Sequence, residues 1–161
     1  DANIPRFEGW WGHDKATRFE MPETFVPIPT AEAWQLSNAP VMAMAPLRAS
    51  LDLFDRAGAE NLRAKSKKLT AYLQEVLEEV ARVSGSDFEI ITPAEERGAQ
   101  ISLLVHGYGR PLFDYLMGQG VIADWREPNV IRMAPVPLYN SFEDIRAFGI
   151  ILLNYLKEQG A

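Results

Sequence analysis

Prolines at positions 5, 22, 27, 29 and 40 deny the first forty residues a long helix. Proline has no N–H to donate, and its ring clashes with the preceding turn. Short extended pieces are expected instead, for example Thr24 to Ile28. A segment of this length with little regular structure is unusual in a compact domain; such segments serve function or lean on a partner surface. Within it stands "GWWGHD", residues 9 to 14, where two adjacent tryptophans lie between two glycines. Two readings are open. The rings could plug one end of a core, or they could form a binding loop that stacks on a flat ligand and donates from an indole N–H.

From Val41 the pattern turns helical. Met44, Leu47, Leu51 and Phe54 recur every three or four residues, and Pro46 is expected in the first turn. Gly58 is expected to bend or end this helix. A second amphipathic stretch, Ala59 to Val83, carries Leu62, Leu69, Leu73, Val76, Leu77 and Val80 on its apolar face, and "SGSD" at 84 to 87 stops it. The period then switches to two. Strands are expected at 88–93, 100–107, 121–126 and 130–136, with a short helix at 110–120 and a last helix at 140–159 capped by Asn140 or Ser141. The second half therefore reads as α+β, a small sheet with helices packed on it. A boundary is expected near Gly58, giving residues 1–57 and 58–161.

Several classes of function are disfavoured. Net charge is −6, with no basic block beyond "RAKSKK" at 63–68, which a solvated helix face explains. Nucleic-acid binding requires clustered Lys and Arg, so it is not expected. Cysteine is absent, which removes disulfides, thiolate metal sites and a Cys nucleophile and suits a reducing cytoplasm. No apolar run approaches the roughly 20 residues of a membrane span. The first residues lack the basic and apolar regions of a signal peptide. His13 and His106 are the only imidazoles, and with no nearby carboxylate cluster they do not make a metal site. No G-x-S-x-G precedes a helix, and "GYGRP" at 107–111 lacks the lysine of a phosphate loop, so it reads as a turn.

Three places carry candidate chemistry. Trp10, Trp11 and His13 form the loop already named. Asn38, in "WQLSNAP", precedes a helix, where it could cap the helix or meet a ligand's anion or ring substituent. Arg132 stands between Ile131 and Met133 in "NVIRMAPVPLYNSF". An arginine in an apolar strand must be paired, and a carboxylate is its best partner. That carboxylate could belong to the protein or to a substrate.

"GWWGHDKATRFEM", "WQLSNAP", "TPAEERGAQISL" and "NVIRMAPVPLYNSFEDI", in this order and spacing, resemble the C-terminal portion of kynureninase, and the resemblance covers essentially the whole chain. Kynureninase is a pyridoxal phosphate (PLP) enzyme of the aspartate aminotransferase fold, fold type I. The resemblance implies the C-terminal small domain, preceded by the tail of the PLP-binding large domain. It implies hydrolysis of L-kynurenine or 3-hydroxykynurenine to anthranilate or 3-hydroxyanthranilate and L-alanine, in tryptophan catabolism, by a cytoplasmic homodimer. It places Trp10 and Asn38 at the cofactor, reached across the dimer interface. Arg132 takes the substrate carboxylate, and Trp10, Trp11, His13 and Asn38 line the rest of the substrate site. The family's Schiff-base lysine lies in a Tyr-Lys pair, and none of lysines 15, 65, 67, 68 and 157 has that context. The chain is therefore expected to be a fragment, inactive alone, with exposed apolar surface in residues 1–57. Two rivals remain: a fragment of another enzyme of the fold, such as a cysteine desulfurase or aminotransferase, and a non-catalytic interaction module.

Overall fold

The computed structural model describes residues 4–159. The chain divides into two compact units, Asp1–Phe54 and Asp55–Ala161. Each is described by itself.

The first unit is built from three short 3-10 turns, at Trp10–Gly12, Arg18–Glu20 and Ala31–Trp34, followed by the start of helix α1, Val41–Ala57. The extended piece expected at 24–28 is present in part. Residues 12–14 run antiparallel to 26–28, with Asp14 N–H on the Val26 carbonyl at 2.8 Å and Ile28 N–H on the Gly12 carbonyl at 3.0 Å. Helix α1 begins one turn earlier than its proline suggested. The Pro40 carbonyl accepts from the N–H groups of Ala43 and Met44, so Pro46 lies inside the helix rather than in its first turn. None of the α1 residues is buried. Val41 and Met42 are largely exposed, and Leu47, Leu51 and Phe54 about half exposed, which is the apolar surface expected of this segment.

Gly58 takes φ +78° and separates α1 from α2, Ala59–Ser84. That conformation favours a residue without Cβ. Leu69, Leu73, Leu77 and Val80 form the buried stripe of α2, as the spacing predicts, with Ser66 and Thr70 buried beside them. Gly85, in the left-handed region at φ +68°, ends the helix by donating to the Ala81 carbonyl. Four strands follow around α3 (Gly109–Gly118): β1 Phe88–Ile90, β2 Ile101–Val105, β3 Asp124–Arg126 and β4 Val130–Met133. The sheet order is β1-β2-β4-β3, and every pair is antiparallel. Ile101, Leu103, Val105, Ile131 and Met133 face the helices and are buried with Leu112 and Leu116 of α3 and Leu152 and Leu156 of α4, Phe142–Gln159.

The strands are shorter than the alternation suggested. At the end of β1 the Thr92 hydroxyl, not a carbonyl, accepts the Ser102 N–H at 2.8 Å, and Pro93 has no N–H to continue the ladder. Pro135 stops β4 for the same reason. In α4, Gly149 lies against Val76 of α2; a Cβ there would stand 2.4 Å from the Val76 Cγ1. The two helices can approach this closely because position 149 has no side chain.

Helix α4 is capped by Ser141. Its hydroxyl accepts the Asp144 N–H at 3.2 Å, and the Asp144 carboxylate accepts the Ser141 N–H at 2.8 Å. The Ser141 N–H, followed by the Asn140 amide, holds the Asp144 carboxyl below its ordinary value. A depressed carboxyl pKa stabilises the fold above the ordinary aspartate range, and that contribution is lost as pH falls through the lowered folded value. Urea unfolding of the chain at a series of acid pH values is expected to show a flatter pH dependence for Asp144→Asn than for the unaltered protein. Equal slopes would remove Asp144 from the acid response.

Candidate functional site

The tryptophan loop is held by its glycines, an arginine and a histidine. A Cβ on Gly9 would stand 2.2 Å from Leu36 Cα, and one on Gly12 would stand 2.5 Å from the Ala33 carbonyl oxygen. The glycines flanking the tryptophans are therefore not hinges. They let the backbone of the 31–36 segment lie directly against the loop.

Arg18 is buried, at 6% exposure. Its guanidinium carbon lies 4.5 Å from the Trp11 ring centroid and 5.6 Å from that of Trp10. One of its nitrogens donates to the carbonyls of Trp11 at 2.6 Å and His13 at 3.2 Å. The Trp10 indole N–H returns a bond to the Arg18 carbonyl at 3.2 Å. Trp10 also stacks on Trp11 at 5.3 Å between centroids and meets the edge of Phe19. Trp10 is nonetheless 45% exposed. The loop thus neither closes a core nor hangs free: it is a braced aromatic surface with one indole half open.

His13 is buried, and both its nitrogens are engaged within the loop. Nδ1 accepts the Val26 N–H at 3.2 Å, so the ring proton sits on Nε2, which donates to the Thr17 hydroxyl at 3.1 Å. Trp11 Nε1 and Arg18 Nε are buried and have no partner among the described residues.

Asn38 lies on the exposed stretch before α1. It does not cap that helix, since the Pro40 carbonyl opens the ladder. With Gln35, Leu36, Ser37, Ala39, Pro40 and Met44 it lines a recess of about 380 Å³. Trp10, Trp11, His13 and Asn38 all belong to the first unit, and the packing of Gly9 and Gly12 on residues 33–36 ties the loop to the strip that leads to Asn38.

Arg132 belongs to the second unit. Its neighbours Ile131 and Met133 face the core, so Arg132 lies on the other face of the sheet, between Ser102 of β2 and Asp124 of β3. Its Nε donates to the Asp124 carboxylate at 2.6 Å, and its Nη2 reaches the same oxygen. Arg126 also reaches that oxygen, at 3.1 Å. The protein partner that an arginine in an apolar strand needs is therefore Asp124. Among the described residues, no three His, Cys, Asp or Glu side chains lie together as metal ligands, and no helix is long and apolar enough to cross a membrane.

Sequence reasoning missed Arg18 and Asp124. Arg18 gives little signal, because an isolated arginine in "TRFEM" reads as surface. Asp124 was legible in principle: in a hairpin centred on Pro128, positions 124 and 132 face each other.

The loop geometry yields a test. Gly9→Ala and Gly12→Ala are each expected to displace the Trp loop from the 31–36 segment, costing about 1–3 kcal/mol as overpacked sites do. Urea unfolding followed by tryptophan fluorescence checks this, and Gly98→Ala, where a Cβ meets nothing within 4 Å, is the control.

The chain as a whole is similar to known proteins. The family model described as the kynureninase C-terminal domain matches residues 62–152. The chain is 59% identical over 152 residues to the kynureninase of Christiangramia forsetii, covering 93% of this chain. It is 54% identical to that of Flavobacterium psychrophilum and 56% identical to that of Xanthomonas oryzae, over 94% and 92% of this chain. The chain spans 36% of the length of each of these relatives. Among solved structures, a C-DES mutant with glycine covalently linked to its PLP cofactor aligns with TM-score 0.68 at 18% identity, over 93% of this chain and 38% of that one. A NifS-like protein aligns with TM-score 0.64 at 18% identity, over 83% of this chain and 40% of that one. These likenesses show the fold, that of a C-terminal part of fold-type-I PLP enzymes. On the match over residues 62–152, the chain belongs to the kynureninase C-terminal domain family.

Proposed function

We propose that this chain is the C-terminal part of a kynureninase that hydrolyses L-kynurenine or 3-hydroxykynurenine to anthranilate or 3-hydroxyanthranilate and L-alanine, as a cytoplasmic homodimer in tryptophan catabolism. The observation that carries the reading is 59% identity to a kynureninase over 93% of this chain.

The residues fit one side of a PLP site. Trp11 Nε1 is a buried donor without an acceptor among the described residues, the half-exposed Trp10 offers a flat face, and Asn38 brings an amide to the rim of a recess. They do not supply the amine that carries the cofactor. Lys15 is paired with Glu32, and Lys65 donates to the Pro137 carbonyl. When bound, PLP supplies an electron sink for cleavage of the bond between the side-chain methylene and the ketone carbon.

The chain's own residues bind and orient. Trp10 and Trp11 present aromatic surface to the aryl ring. The Asn38 amide reaches a ring amino or hydroxyl group. His13, with both nitrogens engaged, acts by holding the loop in place. Arg132 takes the substrate carboxylate through N–H groups that Asp124 leaves free.

Two outcomes are expected. The complete polypeptide, loaded with PLP, releases anthranilate from kynurenine, followed by its fluorescence, and does not act on cysteine or aspartate. The 161-residue chain alone releases none. Turnover by the isolated chain would overturn its dependence on a lysine elsewhere. In the complete enzyme, Arg132→Lys is expected to raise KM for kynurenine about tenfold or more, because an ammonium cannot reproduce two parallel N–H bonds to one carboxylate. An unchanged KM removes Arg132 from carboxylate binding.

A further inference from the structure

The geometry assigns Asp124 as a positioning residue for substrate recognition: it grips one edge of the Arg132 guanidinium and leaves the other for an incoming carboxylate. This inference rests on the reading of Arg132 given above.

The antiparallel register sets Asp124 of β3 directly opposite Arg132 of β4, so the two side chains rise from the same face of the sheet. Nε and Nη2 of Arg132 both converge on one carboxylate oxygen, Oδ2. A guanidinium carries five N–H bonds in a planar fork. Engagement through Nε and one Nη2 hydrogen leaves both hydrogens of Nη1 and the second of Nη2. One Nη1 hydrogen and the remaining Nη2 hydrogen form the end-on pair of the fork, which matches two carboxylate oxygens.

Charge supports the assignment. Arg126 reaches the same Oδ2 at 3.1 Å, so two guanidiniums share one carboxylate. Two positive charges and one negative leave one positive charge in excess. An arginine fully neutralised by its own aspartate would attract a second carboxylate weakly, whereas this cluster retains a charge for it. Glu127, the next acidic residue in the hairpin, accepts the Trp125 indole N–H at 2.9 Å, and Trp125 packs toward the core with Phe113. The Arg132 side chain is 31% exposed, and no other hydrogen bond or ion pair of its guanidinium is found among the described residues.

Without Asp124, the long Arg132 arm would have to be ordered when substrate binds, and that entropy would be lost at binding. With Asp124 the fork is set in advance. The effect therefore belongs in substrate affinity rather than in the bond-breaking step.

The test uses the complete PLP-loaded enzyme and the variants Asp124→Ala, Asp124→Asn and Asp124→Glu. Substrates are kynurenine and its α-carboxamide, which lacks the carboxylate charge. For Asp124→Ala, KM for kynurenine is expected to rise about tenfold while kcat stays within about threefold. The preference in kcat/KM for kynurenine over the carboxamide is expected to fall about tenfold, a change that general loss of structure does not produce because it lowers both substrates together. Asp124→Asn, which keeps the volume, is expected to lie between, and Asp124→Glu to restore part of the preference. An unaltered enzyme that leaves kynurenine intact overturns the functional reading, and this inference with it. If Arg132→Lys raises KM but Asp124→Ala and Asp124→Asn leave both KM and the preference unchanged, this inference alone is overturned. Equal loss on both substrates also overturns it.

Discussion

The register of the β3–β4 hairpin is the constraint on which the second unit depends. With Asp124 opposite Arg132 and Trp125 opposite Ile131, alternate residues separate cleanly: Ile131 and Met133 face the helices, and Arg132 faces away. A slip of one residue would exchange the faces. It would drive the Arg132 guanidinium among Leu103, Leu112 and Leu152, where an unpaired charge is costly, and would expose Ile131. Packing and charge therefore select the same register. The core side is reinforced by the Phe113–Trp125 contact at 5.8 Å, and the other side by two arginines on one aspartate. One hairpin thus closes the core and sets the candidate recognition arginine in place.

The first unit solves a different problem. Its prolines deny it a helix over most of its length, so its backbone groups must be satisfied piecemeal. Side chains do part of that work, and two of them, Arg18 and His13, are buried. Arg18 takes two carbonyls, His13 takes one N–H, and the Thr30 hydroxyl takes the Glu32 N–H at the start of the third 3-10 turn. The aromatic rings gather around the same arginine. A guanidinium suits this position because its flat face stacks on indole while its edge donates to carbonyls, which an ammonium cannot do at once. His13 shows the same economy: neutral imidazole offers one acceptor and one donor, and the loop uses both.

How far the chain could be read in advance follows from how local each signal is. The helices were legible because their apolar stripes repeat within the segment itself: Leu69, Leu73, Leu77 and Val80 needed only a spacing of three and four. The strand positions were legible, but their ends were not, because Thr92 and Pro135 end the ladder through hydrogen bonding that alternation does not reveal. Pro46 lies in the helix interior, not in the first turn that its residue type suggests, because the Pro40 carbonyl opens α1. Among candidate residues, Trp10, Trp11, His13, Asn38 and Arg132 announced themselves by residue type and neighbours. What each does with its atoms did not, because the partners Thr17, Arg18, Val26 and Asp124 are brought in by folding.

The two units differ in the chemistry they leave available. In the first, the polar atoms of His13 and Trp10 are already used, and what remains open is mostly ring surface, together with the Asn38 amide. In the second, the open chemistry is charge, since Arg132 and Arg126 share a single aspartate. Ring surface discriminates weakly between similar aromatics, since stacking tolerates substituents, whereas a half-satisfied guanidinium discriminates strongly for a carboxylate. On the proposed function, choice between kynurenine and its hydroxylated form therefore falls to the Asn38 amide, which is exposed and has no side-chain bond among the described residues, whereas the unpartnered Trp11 Nε1 is buried. On the same proposal, the requirement for an α-amino acid falls to Arg132 and the aspartate that holds it.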